Sequence, residues 1–347
     1  MVAQQIQRAA PDREAFHDVL MVILGQPAAA VAAATARLDL ADYLSERPRT
    51  AVELASLTGT SPSGMFRLLR VAAALGLLDQ VDEATFARNA RTDCLKRGGP
   101  LRDIAIAATD SSSSRLLESL PDAIAKGRSV AESVLGTDVW SYRDAHPNAR
   151  MALMDRLVDL DDGLVPAIRD HVDLTSVRCI VSIGGGTGRL LASLLRLAPA
   201  ARGILFDRPH IAATSRRDLA SLGMAGRIKS VGGDFLERVP EGGDLYLLKG
   251  VLHDLDDDSA CWLLDSCYMA AAPRSMLLAI ESVIPDGIQP DPVTHLFDIN
   301  ALVTAGRERR IVEVEELMNS SGYLLESVVP LETMGIEQAA LLVGRRS

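Results

Sequence analysis

The stretch from Arg178 to Leu191 constrains this chain more than any other. A short apolar run, Cys179 to Ile183, leads into Gly184, Gly185, Gly186 and Gly188, and an apolar helical pattern follows directly. That order reads as buried strand, tight turn and helix start. Glycine serves where the backbone takes positive φ, or where a ligand approaches with no Cβ in the way. The turn also aims free N–H groups and the positive end of a helix at one spot. The stretch predicts a ligand cradle on an α/β sheet.

The sequence beyond Asp170 fits such a sheet. Cys179 to Ile183, Gly203 to Phe206, Ile228 to Val231, Leu245 to Leu248 and Met276 to Ile280 are strand candidates. Leu190 to Leu197, Ile211 to Leu222 and Asp258 to Met269 read as helices between them. This alternation predicts a mostly parallel, doubly wound, Rossmann-like sheet. Tyr323 to Pro330 and Gln338 to Val343 are apolar runs with a short connection, so they pair as a hairpin and the sheet ends antiparallel. Ligands in such sheets sit beyond the carboxyl ends of the strands.

The front of the chain is helical in period. Leu38 to Leu44 ends one helix, which Arg47-Pro48 breaks. Thr50 and Glu53 make a capping box, and Thr60-Ser61-Pro62 opens a further helix with Met65, Leu68, Leu69, Val71, Ala72 and Leu75 on its apolar side. A polar turn and Thr85 to Arg88 then suggest a two-stranded wing. This winged-helix-like arrangement has a DNA-binding reading, through Arg67 and Arg70, and a plainer one as a module that packs on another subunit. A net charge of -10 and no basic stripe favour the second and argue against nucleic acid or an anionic membrane as partner.

We divide the 347 residues into a winged-helix-like domain (1–100), a helical connector (101–170) and the sheet domain (171–347). Met151, Leu153, Met154, Leu157 and Leu160 form a stripe in the connector suited to a core or a pocket wall. With 4% aromatic residues, a pocket here is expected to be mostly aliphatic and Met-lined. The four cysteines lack CxxC or zinc-ligand spacing, and Gln26, Pro27, Thr35 and Arg37 interrupt the Ala-rich stretch around Val31. A reduced cytoplasmic protein is the expectation.

The ligand edge carries the chemistry. Arg189 stands where a dinucleotide fingerprint has its last glycine, and Asp207 ends the second strand, where an acid accepts hydrogen bonds from ribose. Together they favour a nucleoside without pyrophosphate. Asp234 and Phe235 close the third strand, where a carboxylate and an aromatic face suit adenine. The next strand delivers Lys249 and then His253-Asp254, while Glu281 ends the following strand and Glu308 lies in a turn. A histidine flanked by carboxylates is a general-base arrangement. Asp256-Asp257-Asp258 is read as the acidic start of a helix rather than a metal cluster, and no metal is expected.

These motifs, Ile183 to Gly188, Phe206 to Pro209, Gly233 to Phe235, Leu248 to Asp254, Glu281 to Pro285 and Gly306 to Arg309, occur in one order over nearly the whole chain. The chain thereby resembles the S-adenosylmethionine-dependent small-molecule O-methyltransferases, of the dimeric caffeate and hydroxyindole type found in bacterial natural-product pathways. The resemblance implies that Gly184 and Gly186 hold the methionine portion, Asp207 the ribose, Asp234 and Phe235 the adenine, and Lys249 the cofactor carboxylate. It implies His253 as catalytic base flanked by Glu281 and Glu308, an aromatic or polyketide-like acceptor, and an intertwined homodimer through the front domain. Three residues depart from the pattern: Ser182 replaces an acid, Arg208 an apolar residue, and Leu255 a common Trp. Relatives that bind the cofactor yet perform hydroxylation, decarboxylation or pericyclic chemistry give an alternative reading, and a cofactor-sensing winged-helix regulator gives another.

Overall fold

The computed structural model describes residues 12–146, 164–287, 292–331 and 339–347. The Met151 to Leu160 stripe lies outside them. The chain divides into two compact units, one ending at Ser113 and the other beginning at Ser114.

The first unit contains α1 (Arg13–Ile23), α2 (Gly25–Arg37), α3 (Leu40–Glu46), β1 (Arg49–Thr50), α4 (Ala51–Thr58), α5 (Pro62–Ala74), β2 (Asp79–Gln80), β3 (Thr85–Ala87), α6 (Ala90–Asp93) and α7 (Arg102–Ala107). The Thr50–Glu53 capping box forms, and Ser61 caps α5 with Pro62 in its first turn. Met65, Leu69 and Ala72 face the core, whereas Val71 turns outward, because a helix period of 3.6 carries it off that face. The expected continuous helix through Leu38 is instead two. Asp39 takes φ 53° between α2 and α3, and its carboxylate is held by Arg97 and Arg102. The wing has three strands rather than two, since Arg49 and Thr50 pair with Phe86 and Thr85. Among the described residues no single helix is long and apolar enough to cross a membrane.

The second unit opens with α8 (Ser111–Glu118, begun just before the boundary), α9 (Leu120–Lys126), α10 (Ala131–Leu135), α11 (Val139–Ala145) and α12 (Leu164–His171). Then follow β4 (Cys179–Ile183), α13 (Arg189–Leu197), β5 (Arg202–Asp207), α14 (Pro209–Ser221), β6 (Ile228–Gly232), β7 (Leu245–Lys249) and α15 (Asp257–Ala270). The chain ends with β8 (Met276–Ile284), α16 (Pro292–Thr304), β9 (Arg309–Arg310), α17 (Ile311–Ser320), β10 (Tyr323–Leu331) and β11 (Ala339–Arg346). The sheet order is β10-β11-β8-β7-β4-β5-β6, with β11 antiparallel to both neighbours and β4 to β8 mutually parallel.

Both faces of the sheet are covered, so its central strands are mostly apolar on both sides. Strand alternation sorts them: Leu278 and Ile280 join one core, Leu277, Ala279 and Val283 the other. Glu281 has the parity of the second face. It does not end its strand as expected, because β8 continues to Ile284 by pairing Val283 and Ile284 with Arg309 and Arg310. A buried carboxylate in mid-strand needs partners, and the loop after β7 supplies them.

Candidate active site

The carboxyl ends of β4, β5, β6 and β7 open onto a cleft of about 1800 Å³. Gly184, Gly186, Asp207, Asp234, Phe235 and Lys249 all line it. Gly184, Gly186 and Gly188 take φ of 62°, 54° and 78°, the left-handed region that L side chains avoid. A Cβ on Gly188 would fall 2.7 Å from Leu219 and 2.8 Å from Leu205, so that glycine serves packing. A Cβ on Gly186 would meet nothing within 4 Å, so it would stand in the cleft.

Asp207 organises this turn. Its Oδ2 accepts from the Gly186 amide at 2.8 Å, and its Oδ1 from the Arg208 amide at 2.7 Å. Asp234 accepts from the Leu236 amide at 2.8 Å and so shapes the turn after β6. Arg208 lies on the cleft wall, with Nη1 2.7 Å from Asp144 on α11. His210 approaches the same carboxylate at 3.4 Å. Its charged partner on the connector explains how an arginine is accommodated where the family pattern is apolar. Ser182 is buried in β4 and borders the cleft beneath Gly185.

At the other end stands the 3₁₀ turn Leu252–Asp254. His253 is 5% exposed, and its Nδ1 lies 3.1 Å from Oε1 of Glu308. Glu308 is itself buried, and its amide donates to Asp298 at 2.9 Å. Nε2 of His253 has no hydrogen-bond partner and lies 3.7 Å from the Asp254 carboxylate. The ring does not itself form the cleft wall; Gly250, Val251, Asp254 and Glu308 around it do.

The hydrogen bonds of Glu281 go to the main chain of the turn. Its Oε1 accepts from the amides of Val251 (3.2 Å) and Leu252 (3.0 Å), and its Oε2 lies 3.4 Å from the His253 amide. It holds the main chain, while Glu308 holds the imidazole. Burial opposes charge on His253, but Asp254, Glu308 and Glu281 overcome it, and the imidazole pKa stands well above its ordinary 6.5. Burial raises the Glu281 carboxyl, against the opposing pull of His253 and the Leu252 and Val251 amides.

Two residues of this site had no role assigned from sequence. Arg309, 3% exposed, donates to the carbonyls of Leu252 (2.5 Å) and Leu255 (2.8 Å) and to Asp257 (2.9 and 2.8 Å). Gly306 lets its loop press on the same turn, since any Cβ there would overlap the His253 carbonyl oxygen. The acidic run resolves accordingly. Asp256 caps α15 through the Ser259 amide, and Asp257 takes Arg309 and Arg307. The cleft is aliphatic in part, with Leu190, Ile211 and Leu302, but no Met borders it among the described residues, whereas Trp140 and Phe235 do. Met151 and Met154, on which the expected aliphatic and Met-lined wall partly rests, lie outside the described residues.

An O-methyltransferase domain matches residues 117–324, and an O-methyltransferase dimerisation domain matches residues 22–98. The chain belongs to the S-adenosylmethionine-dependent O-methyltransferase family. A phenazine O-methyltransferase from Lysobacter antibioticus is 33% identical over 298 residues, 85% of this chain and 87% of that one. A phenazine-1-carboxylate N-methyltransferase from Pseudomonas aeruginosa is 30% identical over 94% of this chain and 97% of its own. The solved mitomycin 7-O-methyltransferase superposes with a TM-score of 0.84 at 30% identity, covering 96% of this chain and 98% of that one. The chain is an enzyme of this methyl-transferring class, of the kind found in antibiotic and secondary-metabolite biosynthesis.

The site fits the cofactor. A glycine turn with one Cβ position open to the cleft, a strand-end carboxylate beside it and a lysine at the end of the neighbouring strand β7 make a polar cradle for an amino-acid nucleoside.

Proposed function

We propose that the chain methylates a hydroxyl, phenolic in character, on an aromatic or polyketide-like secondary metabolite, with His253 as general base. The observation that carries this reading is the buried His253, tied to Glu308 through Nδ1 and with Nε2 left without a partner. S-adenosylmethionine, when bound, supplies an electrophilic methyl group on a sulfonium centre. Gly184 and Gly186 receive its methionine portion, Asp207 the ribose, Asp234 and Phe235 the adenine, and Lys249 the carboxylate.

A phenol with its ordinary pKa of about 10 is mostly neutral at pH 7, so removing its proton during attack accelerates transfer. Glu308 fixes the imidazole tautomer by accepting from Nδ1–H, which leaves Nε2 to take the proton. Glu281 keeps the turn in place from behind. A neutral ring nitrogen is already nucleophilic and needs no base, so this arrangement favours an oxygen acceptor over the nitrogen chemistry of the Pseudomonas relative.

The connector, 101–170, contributes the acceptor end of the pocket, and residues 1–100 join two chains into a homodimer. The net charge of -10 supports a small-molecule partner over nucleic acid, and the four unpaired cysteines support a cytoplasmic setting.

The test is a screen of phenolic and polyketide acceptors with S-adenosylmethionine, read by mass. A product gaining one methyl on oxygen supports the proposal. A product with no methyl gained, formed while the cofactor stays intact, supports the non-methylating alternative instead.

A further inference from the structure

The geometry points to Arg309 as a positioning residue that sets the catalytic competence of His253 through the main chain of its turn. The inference rests on the reading of His253 as base and adds a second layer to it.

The 3₁₀ turn after β7 exposes unpaired amides on one side and unpaired carbonyls on the other, as any short turn does. Here each set meets a buried charge of the opposite sign. Glu281 takes amide hydrogens from Val251 and Leu252 and lies beside that of His253. Arg309 donates to the carbonyl oxygens of Leu252 and Leu255, which bracket His253 in the chain. Both charges come from the same platform, because β9 pairs with β8 at Val283 and Arg309, two residues past Glu281.

Arg309 also follows Glu308 directly. Consecutive residues therefore hold the ring and the backbone of the base, the carboxylate from Nδ1 and the guanidinium from the carbonyls. Asp257 completes the arrangement by accepting from Nε and Nη2 of Arg309, which leaves little rotational freedom to the fork. A guanidinium is required. Its planar fork reaches two carbonyls and a carboxylate at once, whereas an ammonium is a single point with no such spread.

A placement role predicts a specific kinetic signature. Misplacing a catalytic group by about 1 Å costs about 100-fold in rate, without touching remote binding contacts. Arg309→Ala is expected to lower kcat about 100-fold while the KM for S-adenosylmethionine stays within about twofold. Added guanidinium chloride at low millimolar concentration should restore part of that kcat, and Arg309→Lys should restore less than guanidinium does. Asp257→Asn, at a more exposed position, keeps the fold secure and is expected to lower kcat several-fold with the same unchanged KM.

The assay uses the full-length enzyme and a phenolic acceptor turned over in the screen, with His253→Gln measured beside it. If His253→Gln is inactive while Arg309→Ala and Asp257→Asn both keep wild-type kcat, the inference is overturned and the base assignment stands. If Arg309→Ala loses kcat and cofactor binding together, with no response to guanidinium and with Asp257→Asn at wild-type rate, Arg309 merely supports the fold and the inference is again overturned. If His253→Gln itself turns over at wild-type rate, the base assignment beneath the inference fails, and the inference with it.

Discussion

Nδ1 of His253 stands 3.1 Å from Oε1 of Glu308, and both side chains are buried. This one contact links the tautomer, the charge and the orientation of the proposed base, and each has a measurable consequence.

The first is a pH profile. Burial favours neutral His253, yet Asp254, Glu308 and Glu281 raise its pKa well above 6.5. A base must be neutral to accept a proton, so kcat/KM is expected to climb with pH through a limb above the ordinary imidazole range. Glu308→Gln removes one of the anions that raise the pKa, so the limb should move to lower pH while the maximal rate falls. The stability sign runs the other way. A raised folded pKa stabilises the fold fully below 6.5 and loses that contribution as pH climbs through the raised value. The melting temperature of the wild type should therefore fall over the same window in which its rate rises.

Two glycines of one turn separate binding from folding. Gly186→Ala places its methyl in open cleft, at a left-handed φ costing about 1–2 kcal/mol. It is expected to raise the cofactor KM with a small loss of stability. Gly188→Ala carries the same backbone cost and also drives a methyl into Leu219 and Leu205, so its loss in thermal stability should be the larger of the two. Calorimetric titration with S-adenosylhomocysteine and a melting curve distinguish the two.

Asp207 accepts from the amides of Gly186 and Arg208, so removing it loosens the turn as well as the proposed ribose contact. Asp207→Ala is expected to raise the cofactor KM at least tenfold, the scale of a lost hydrogen bond to a charged group at about 1.5–3 kcal/mol. By contrast, Arg208→Ala breaks a half-exposed ion pair worth about 1 kcal/mol at most and should change that KM by no more than about fivefold. Steady-state kinetics at saturating acceptor give both values.

The first helix presents Phe16, Val19, Val22 and Ile23 outward, at 60%, 59%, 81% and 67% exposure in the single chain. An apolar face of this kind, beginning six residues before the matched dimerisation domain and running into it, is suited to a second copy. Light scattering should report a dimer for the wild type. Val22→Asp combined with Ile23→Asp is expected to shift the mass toward the monomer.

Much of this architecture was legible because its signals are local. The run Cys179 to Ile183 is apolar but for Ser182 since both faces of its strand are covered, and the glycines after it mark a turn that only they adopt freely. Asp207 was legible from its place at a strand end. Glu281 was misplaced because β8 is prolonged by β9, a two-residue partner about 25 positions away that carries no strand signature. Arg309 went unassigned for a related reason. It acts on backbone carbonyls, and a contact with main chain leaves no partner residue type to recognise. The left-handed Asp39 was hidden likewise, since Arg97 and Arg102 meet it only in three dimensions.

The central claim is that His253 removes the acceptor proton, and one variant tests it most directly. His253→Gln keeps a polar side chain of similar reach but removes a base that titrates. The expected result is a fall in kcat of about 10²–10⁴-fold with S-adenosylhomocysteine binding unchanged by calorimetry. A His253→Gln enzyme that binds the same ligand and methylates a phenolic acceptor at the wild-type rate would contradict the account.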